Sequence, residues 1–300
     1  MSADGVKPKT AFVLAGGGSF GAIQAGMLHS LVVRGIAADM VVGSSVGALN
    51  GAYYAGDPTL AGVEKLAAIW HGLRRSDVFP VNWRAMLGFL YRRDFLVDSG
   101  CLRDLVEMNL SYRNLEDAKI PIHIVATDIL TGGTVVLSEG PAAQAIVASA
   151  AIPVVFPPVK LKDVFLVDGA VSSNTAVKVA VAQGATRLIV LPTGYACALD
   201  KPPAGAVASA LHAITLLIAR QLLSELEGLD GSGIEYFVLP PLCPLTGSPY
   251  DFSQAGALIE RAIKSTDAWI AGGGLEQPNV HAQLSIHRHA HQSSTQRREF

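Results

Sequence analysis

The sequence has little charge and few cysteines. Only 16% of its 300 residues are charged, and the formal net charge is -2. Binding to a polyanion relies on an excess of Lys and Arg, so this balance argues against a nucleic-acid partner. The cysteines Cys101, Cys197 and Cys243 are widely separated and follow no metal-binding spacing. We therefore expect three reduced thiols in a reducing compartment.

Long hydrophobic runs are also absent. Met1 to Thr10 is polar and lacks the apolar core of a secretory signal. The most apolar later stretch, Ala204 to Ala219, is interrupted by polar residues and is too short to cross a bilayer comfortably. We expect a cytoplasmic protein, with peripheral contact at a membrane surface as the remaining alternative. The hydrophobic fraction of 50% is sufficient for one large buried core.

Strand-like and helix-like segments alternate from Thr10 to Ala271. This alternation predicts an α/β fold with a mainly parallel central sheet covered by helices on both faces, in three layers. Two short segments are exceptions, because Thr134 to Ser138 and the hairpin Lys160 to Val167 favour antiparallel pairing. We find no long linker and no repeat, and expect one domain over residues 10–275 after an extension at 1–9.

Residues 278–300 lose both apolar periodicity and hydrophobic content, which is typical of a disordered tail. Histidine-rich tracts can capture transition metals, although flexible ones are usually weak ligands, so we predict no functional metal site here. The histidines of this tail are His281, His287, His289 and His291.

Residues 78–98 mix large apolar side chains with arginines, including Trp83 and Arg93. An ordinary amphipathic excursion packed on the main domain explains this composition. The alternative is a lid or a basic amphipathic element that contacts a membrane surface through residues 79–93.

Ser45 lies in the pattern Gly43-Ser44-Ser45-Val46-Gly47, between an apolar strand and a helix. A serine in the middle of G-x-S-x-G sits on a turn so sharp that only small residues fit two positions away. This geometry lifts the hydroxyl to the N-terminus of a helix, where negative charge is favoured. We predict that Ser45 is a nucleophile, against the alternative of a strand–helix connection that is merely rich in Gly and Ser.

A glycine loop, Gly16-Gly17-Gly18-Ser19-Phe20-Gly21, follows the first strand and opens a helix. Without side chains in the way, the N–H groups of Gly16, Gly17 and Gly18 can converge as an anion-binding nest. If the first two strands are neighbours, this nest lies beside the serine. It would then stabilise the oxyanion that forms when a serine attacks an ester.

A serine nucleophile needs a base, and the histidines are poor candidates. His29, His71, His123 and His212 all lie within expected helices or strands and not on glycine-rich turns. Asp168, by contrast, ends an apolar strand and precedes Gly169. A carboxylate that touches the hydroxyl can accept its proton directly. From its local sequence alone, however, Asp168 is better explained as part of an ordinary Asp-Gly turn.

Taken together, four ordered motifs resemble the patatin-like phospholipases. They are the glycine loop 16–21, the serine turn 43–47 with its supporting Gly43 and Gly47, the stretch 148–158, and Asp168-Gly169-Ala170. The resemblance implies a three-layer α/β/α fold, a Ser45–Asp168 dyad, oxyanion donors at Gly16, Gly17 and Gly18, and acyl-lipid ester hydrolysis without a metal or cofactor. It covers residues 10–170, and nothing is transferred beyond Thr193.

One position departs from the family pattern. Many members carry Arg or Lys just before the last glycine of the loop, where this sequence has Phe20. The replacement removes a cation from the neighbourhood of the expected anion-binding nest. A scaffold that binds lipid but cleaves it poorly is therefore one alternative function. A dinucleotide-binding protein is the other alternative, since Gly16-x-Gly18-x-x-Gly21 follows a strand and Asp39 lies at roughly the right distance. Against it, Asp39 begins the second strand, whereas the ribose-binding acid should end it.

Overall fold

The computed structural model describes residues 8–79, 95–194, 202–245, 248–280 and 284. Its strands are numbered here in chain order: β1 (Thr10–Leu14), β2 (Met40–Ser44), β3 (Ile122–Asp128), β4 (Thr134–Leu137), β5 (Val159–Leu161), β6 (Val164–Asp168), β7 (Arg187–Leu191) and β8 (Glu235–Val238). These strands form one eight-stranded sheet in the paired order β5-β6-β3-β2-β1-β7-β8, with β4 also paired to β3.

The helices of the described residues follow the alternation that the sequence predicts. They are α1 (Gly21–Val33), α2 (Val46–Gly56), α3 (Leu60–Gly72), α4 (Arg75–Val78), α5 (Gly100–Asn109), α6 (Ala142–Ser149), α7 (Ala170–Ser173), α8 (Val177–Ala182), α9 (Ala206–Glu227) and α10 (Ala255–Ala271). Within the described residues, no helix is long and apolar enough to span a membrane.

The sheet separates two apolar cores. Phe12 and Leu14 of β1 belong to the core shared with α1, α2, α3 and α10, whereas Ala11 and Val13 face the core shared with α8 and α9. Alternate residues of a strand point to opposite faces, so β1 is buried on both sides. β3, β2, β1, β7 and β8 pair in parallel. The predicted three-layer α/β/α fold with a mainly parallel sheet is confirmed.

The pairing along β3 brings two strand ends together. β2 pairs in parallel with Ile122 to Val125, β6 pairs antiparallel with Ala126 to Asp128, and β4 pairs antiparallel with Ile124 to Thr127. Because β4 overlaps both of the others and a strand has only two edges, β2 and β6 share the opposite edge of β3. They approach each other along that edge, so the end of β2 meets the end of β6.

Two short helices follow β6. They are α7 and α8, and residues 174–176 separate them. The Asp168 carboxylate accepts a hydrogen bond from the N–H of Ala170, which starts a helical turn directly after β6. Val177 N–H then donates to the Thr175 carbonyl, so the chain turns before α8 begins.

The predicted tail begins too early at residue 278. Asn279 Oδ1 accepts a hydrogen bond from the N–H of Tyr236 at 2.9 Å, and Leu284 is 0% exposed within the core beneath α9. These contacts tie the chain to β8 where the composition predicts disorder. The four histidines of the predicted tail lie outside the described residues. So do residues 80–94, and with them nearly all of the predicted lid and membrane-contact segment.

The expectation of three reduced thiols is wrong for Cys243. That residue takes part in a disulfide bond, whereas Cys101 is a free, exposed thiol. Cys197 lies outside the described residues. Wide spacing along the chain does not report proximity in space, so the cysteines no longer support the inference of a reducing compartment.

Candidate active site

Ser45 lies in a strained turn between β2 and α2. Its backbone has φ 56° and ψ -125°, a conformation that non-glycine residues rarely adopt and that is often found at functional sites. The turn requires both flanking glycines. A Cβ at Gly43 would lie 2.4 Å from the Gly47 carbonyl oxygen, and a Cβ at Gly47 would lie 2.2 Å from the Leu14 carbonyl oxygen. These contacts are the steric reason for the G-x-S-x-G spacing.

The structure brings Ser45 and Asp168 together. The Ser45 hydroxyl donates a hydrogen bond to Asp168 Oδ2 at 2.7 Å, although the two residues are 123 positions apart in the chain. Oδ1 of the same carboxylate accepts the Ala170 N–H at 2.8 Å. Ser45 is 6% exposed and Asp168 is 3% exposed. The end-to-end approach of β2 and β6 creates this contact.

Burial raises the pKa of Asp168 from 3.8 to about 6, against the smaller opposing effects of the hydrogen bonds from Ser45 and Ala170. A carboxylate in water is a weak base, since its conjugate acid loses its proton near pH 4. Desolvation disfavours the charged form and makes this carboxylate more basic. The site therefore contains a group whose pKa suits proton transfer near neutral pH.

A second serine fixes the turn, and sequence reasoning did not assign it a role. Ser149 Oγ, at the end of α6, accepts the Ser45 N–H at 2.9 Å and donates to the Val125 carbonyl oxygen at 2.6 Å. Its side chain is fully buried. Ser149 thus links the Ser45 turn to β3. The sequence signal that could have identified Ser149 is its place in the motif stretch 148–158.

The glycine loop lies beside Ser45, as expected, but its three N–H groups are not equivalent. A Cβ at Gly16 would lie 3.1 Å from the Ser45 Cβ, so the loop and the serine are in close contact. The Gly16 N–H donates to the Asn174 carbonyl at 3.1 Å. We therefore correct the prediction for Gly16, because its donor is already used inside the protein.

Gly17 and Gly18 keep their N–H groups available: within the described residues neither donates a hydrogen bond. Gly18 has φ +59°, and a Cβ there would lie 2.4 Å from the Pro249 carbonyl oxygen. The Ser19 N–H donates to that same carbonyl at 2.8 Å. Residues 248–250 therefore contact the glycine loop and support its conformation, although they belong to none of the four sequence motifs.

The other motif glycines sit where side chains cannot fit. A Cβ at Gly21 would lie 2.3 Å from Val46 Cγ2, so α1 and α2 begin in direct contact. A Cβ at Gly169 would lie 2.1 Å from the Val125 carbonyl oxygen. Both glycines allow the close approach of the segments that carry Ser45 and Asp168.

An apolar cavity with a volume of about 60 Å³ extends from Ser45. Its wall includes Leu49, Trp70, Leu105 and Phe252, and none of the described residues that line it is charged. Apolar walls with a few polar groups are typical of small-molecule pockets. Walls of this kind suit the apolar part of a ligand, and the Ser45 hydroxyl lies among them.

A family model described as patatin-like phospholipase matches residues 12–181, which is more than half of the chain. The chain belongs to the patatin-like phospholipase family. The matched range contains the glycine loop, the Ser45 turn and Asp168, whereas α9, the 248–250 loop and α10 lie beyond it.

Patatin-like relatives share part of this chain. A patatin-like phospholipase domain-containing protein of Caenorhabditis elegans, ZK370.4, is 33% identical over 129 residues, which are 43% of this chain and 9% of that protein. Patatin-like phospholipase domain-containing protein 7 of Rattus norvegicus is 28% identical over 186 residues, which are 61% of this chain and 13% of that protein. Lysophospholipase NTE1 of Mycosarcoma maydis is 28% identical over 182 residues, 61% of this chain and 9% of that protein. The chain spans about a tenth of the length of these curated relatives.

Two solved structures resemble this patatin-like chain at low sequence identity. Human GIVD cytosolic phospholipase A2 has a TM-score of 0.47 and 12% identity, covering 92% of this chain and 60% of its own. VipD from Legionella pneumophila has a TM-score of 0.44 and 15% identity, covering 87% of this chain and 67% of its own.

Histidine takes no part in the described portion of this patatin-like site. Among the described residues, His123 Nδ1 lies 2.7 Å from Ser138 Oγ, and no histidine hydrogen bonds to Ser45 or Asp168. Nor do the described residues contain a group of three or more His, Cys, Asp or Glu side chains placed to hold a metal ion.

The dinucleotide alternative does not fit this patatin-like fold. Asp39 precedes β2, and its carboxylate accepts the Thr10 N–H at 2.8 Å, at the start of β1. The glycine loop follows the other end of β1. Asp39 therefore lies at the opposite end of the parallel strands from the glycine loop. It cannot hold the ribose of a nucleotide bound at that loop.

Proposed function

We propose that this chain is a serine acyl hydrolase of lipids, most simply a phospholipase or lysophospholipase. The observation that carries the proposal is the 2.7 Å hydrogen bond from the Ser45 hydroxyl to the buried Asp168 carboxylate. Family membership and the apolar cavity that opens at Ser45 support it. Lysophospholipase NTE1, one of the relatives, carries that activity in its name.

In the proposed reaction, Asp168 takes the proton of the Ser45 hydroxyl as Oγ attacks the ester carbonyl carbon. The carbonyl oxygen gains the negative charge and is stabilised by the N–H groups of Gly17 and Gly18. The intermediate then expels the alcohol part of the lipid, which takes the proton from Asp168. Water then attacks the acyl-serine while Asp168 accepts a proton from it, and the fatty acid leaves as the Ser45 oxygen takes that proton back from Asp168.

The cavity wall supports an acyl chain as the group bound next to the serine. Burying apolar surface contributes about 0.8 kcal/mol for each CH₂. No charged side chain of the described residues lines the cavity. Phe20, which replaces the basic residue of many family members, packs against the apolar core instead. We propose that the head group stays at the cavity mouth.

The experiment is labelling with a fluorophosphonate, followed by fatty-acid release from p-nitrophenyl esters, lysophosphatidylcholine and phosphatidylcholine. Ser45→Ala is expected to lose both labelling and release. Ser44→Ala is the matched control, because the adjacent hydroxyl has no hydrogen-bond partner among the described residues. It is expected to keep both. Lipid binding without labelling of the unsubstituted chain would identify a scaffold and refute the proposed hydrolase.

A further inference from the structure

The base and the oxyanion loop are joined through a short segment on the far side of Asp168. Residues 169–174 comprise α7 and its flanking residues, and they continue directly from the carboxylate. The Asn174 carbonyl at the end of this segment accepts the Gly16 N–H at 3.1 Å. The position of the segment therefore affects both the carboxylate at its start and the glycine loop at its end.

The start of this segment is held by β3. Thr127 Oγ1 lies 2.8 Å from the Asp168 carbonyl oxygen and 2.9 Å from Ser172 Oγ, and it accepts the Ser172 N–H at 3.2 Å. These contacts fix the first turn of α7 against the sheet. They leave the Ser172 carbonyl and the Asn174 N–H to be satisfied from elsewhere, since a helix of this length has few internal hydrogen bonds.

One side-chain amide on α9 satisfies both groups. Gln221 Nε2 donates to the Ser172 carbonyl at 2.6 Å, and Gln221 Oε1 accepts the Asn174 N–H at 3.4 Å. The neighbouring residues Leu222 and Leu226 are buried in the core beneath the sheet. The helix is thereby anchored, and the amide of Gln221 is held in place against the segment.

We propose that Gln221 is a positioning residue of the active site, which holds residues 169–174 so that Asp168 and the glycine loop keep their places around Ser45. The inference rests on the proposed function. Gln221 does not touch the reacting atoms and lies outside the residues 12–181 that the family model matches. It acts through Ser172 on the side of the base and through Asn174 on the side of the loop.

Two variants and a control test this role. Gln221→Leu removes both hydrogen bonds, and Gln221→Glu keeps the acceptor but replaces the donor by an oxygen that faces the Ser172 carbonyl. Gln183→Glu makes the same exchange at another half-buried glutamine, whose side chain has no hydrogen bond within the described residues. Each protein is assayed with a short p-nitrophenyl ester, per active site counted by endpoint labelling with excess fluorophosphonate.

Both Gln221 variants are expected to lose about tenfold in kcat with little change in KM, because small displacements of catalytic groups are costly. The acid limb of the pH–rate profile should also move to lower pH. Water that reaches a loosened Asp168 returns its pKa from about 6 towards the ordinary value. Gln183→Glu should behave as the unsubstituted protein.

A purely structural role would lower Tm and the number of titratable sites, and leave kcat per site and the acid limb unchanged. That result overturns the inference, as does full kcat in the Gln221→Glu variant should Gln221→Leu fail to fold. Failure of the proposed function looks different. In that case the unsubstituted chain shows no turnover that depends on Ser45.

Discussion

Removing the charge of Asp168 should make the protein more stable while it destroys activity. The side chain is 3% exposed, and burial raises its pKa from 3.8 to about 6. The two values differ by about 2 pH units, which corresponds to about 3 kcal/mol of free energy. Asp168→Asn keeps the shape of the side chain, and its amide oxygen can still accept the Ala170 N–H.

The sign of the effect follows from linkage. The folded protein holds the proton on Asp168 more tightly than the unfolded chain does, so stability falls as the pH rises from about 4 to about 6 and is constant above. Asp168→Asn lacks this dependence. Its advantage in the free energy of unfolding should therefore grow by about 2–3 kcal/mol between about pH 4 and pH 8.

The assay is urea unfolding at several pH values, with Asp163→Asn as the matched control. Asp163 lies in the exposed turn between β5 and β6, so its substitution removes the same charge without relieving burial. An advantage of Asp168→Asn that does not change with pH would refute the reasoning, because it would show that the carboxylate is not desolvated in the folded state. The reasoning would also be refuted if the free energy of unfolding changed with pH in the same way in Asp168→Asn and Asp163→Asn.

The same carboxylate sets the pH dependence of the proposed hydrolysis. Only the ionised form of Asp168 can accept the Ser45 proton, so turnover should rise with pH through a midpoint of about 6. Asp168→Asn should lose about a thousandfold or more in kcat, within the range seen for removal of a general base. A midpoint near 4, or substantial turnover in this variant, would contradict the assignment.

Three further substitutions probe the surroundings of the dyad. Ser149→Ala leaves a buried N–H and carbonyl without their partner, so we expect a loss of about 1–3 kcal/mol in the free energy of unfolding and slower turnover. Gly18→Ala would force a Cβ to 2.4 Å from a backbone carbonyl and should lower kcat about a hundredfold. The control is Gly35→Ala, because Gly35 also has a positive φ but a Cβ there would have no neighbouring atom within 4 Å. It should cost only about 1 kcal/mol of stability. Leu105→Trp narrows the cavity and should shift the preference of ester hydrolysis to shorter acyl chains, whereas Met108→Trp, exposed on the same helix, should not.

The sequence predicts those parts of the site that depend on local geometry. A strand followed by glycine, serine and a helix indicates the Ser45 turn, because so sharp a turn requires small residues on both sides of the serine. For the same reason, Asp168 before Gly169 at the end of an apolar strand indicates a side chain at a strand end. The resemblance to the patatin-like family then adds the expectation that the two residues meet.

The parts that depend on pairing between distant segments are not visible in the sequence. No local pattern shows that β6 abuts β2 along one edge of β3, and that arrangement decides whether Asp168 reaches Ser45. Gln221 is one of several polar residues on α9, among them Arg220 and Ser224, and nothing in the sequence distinguishes it from them. The use of the Gly16 N–H by Asn174 is equally hidden, which is why the loop was predicted with one donor too many.

The meeting of β2 and β6 along one edge of β3 also explains how, in the proposed hydrolysis, a carboxylate can take the place that histidine has in many serine hydrolases. An aspartate in water is too acidic to deprotonate a hydroxyl usefully at neutral pH. Ending two strands against each other on β3 buries the carboxylate, and within the described residues it accepts hydrogen bonds only from Ser45 and Ala170. Burial raises the basicity and destabilises the folded protein through the same free energy. Changes that let water reach Asp168 should therefore raise the free energy of unfolding and lower kcat together. A variant with both a higher free energy of unfolding and a higher kcat would show that the basicity has another source.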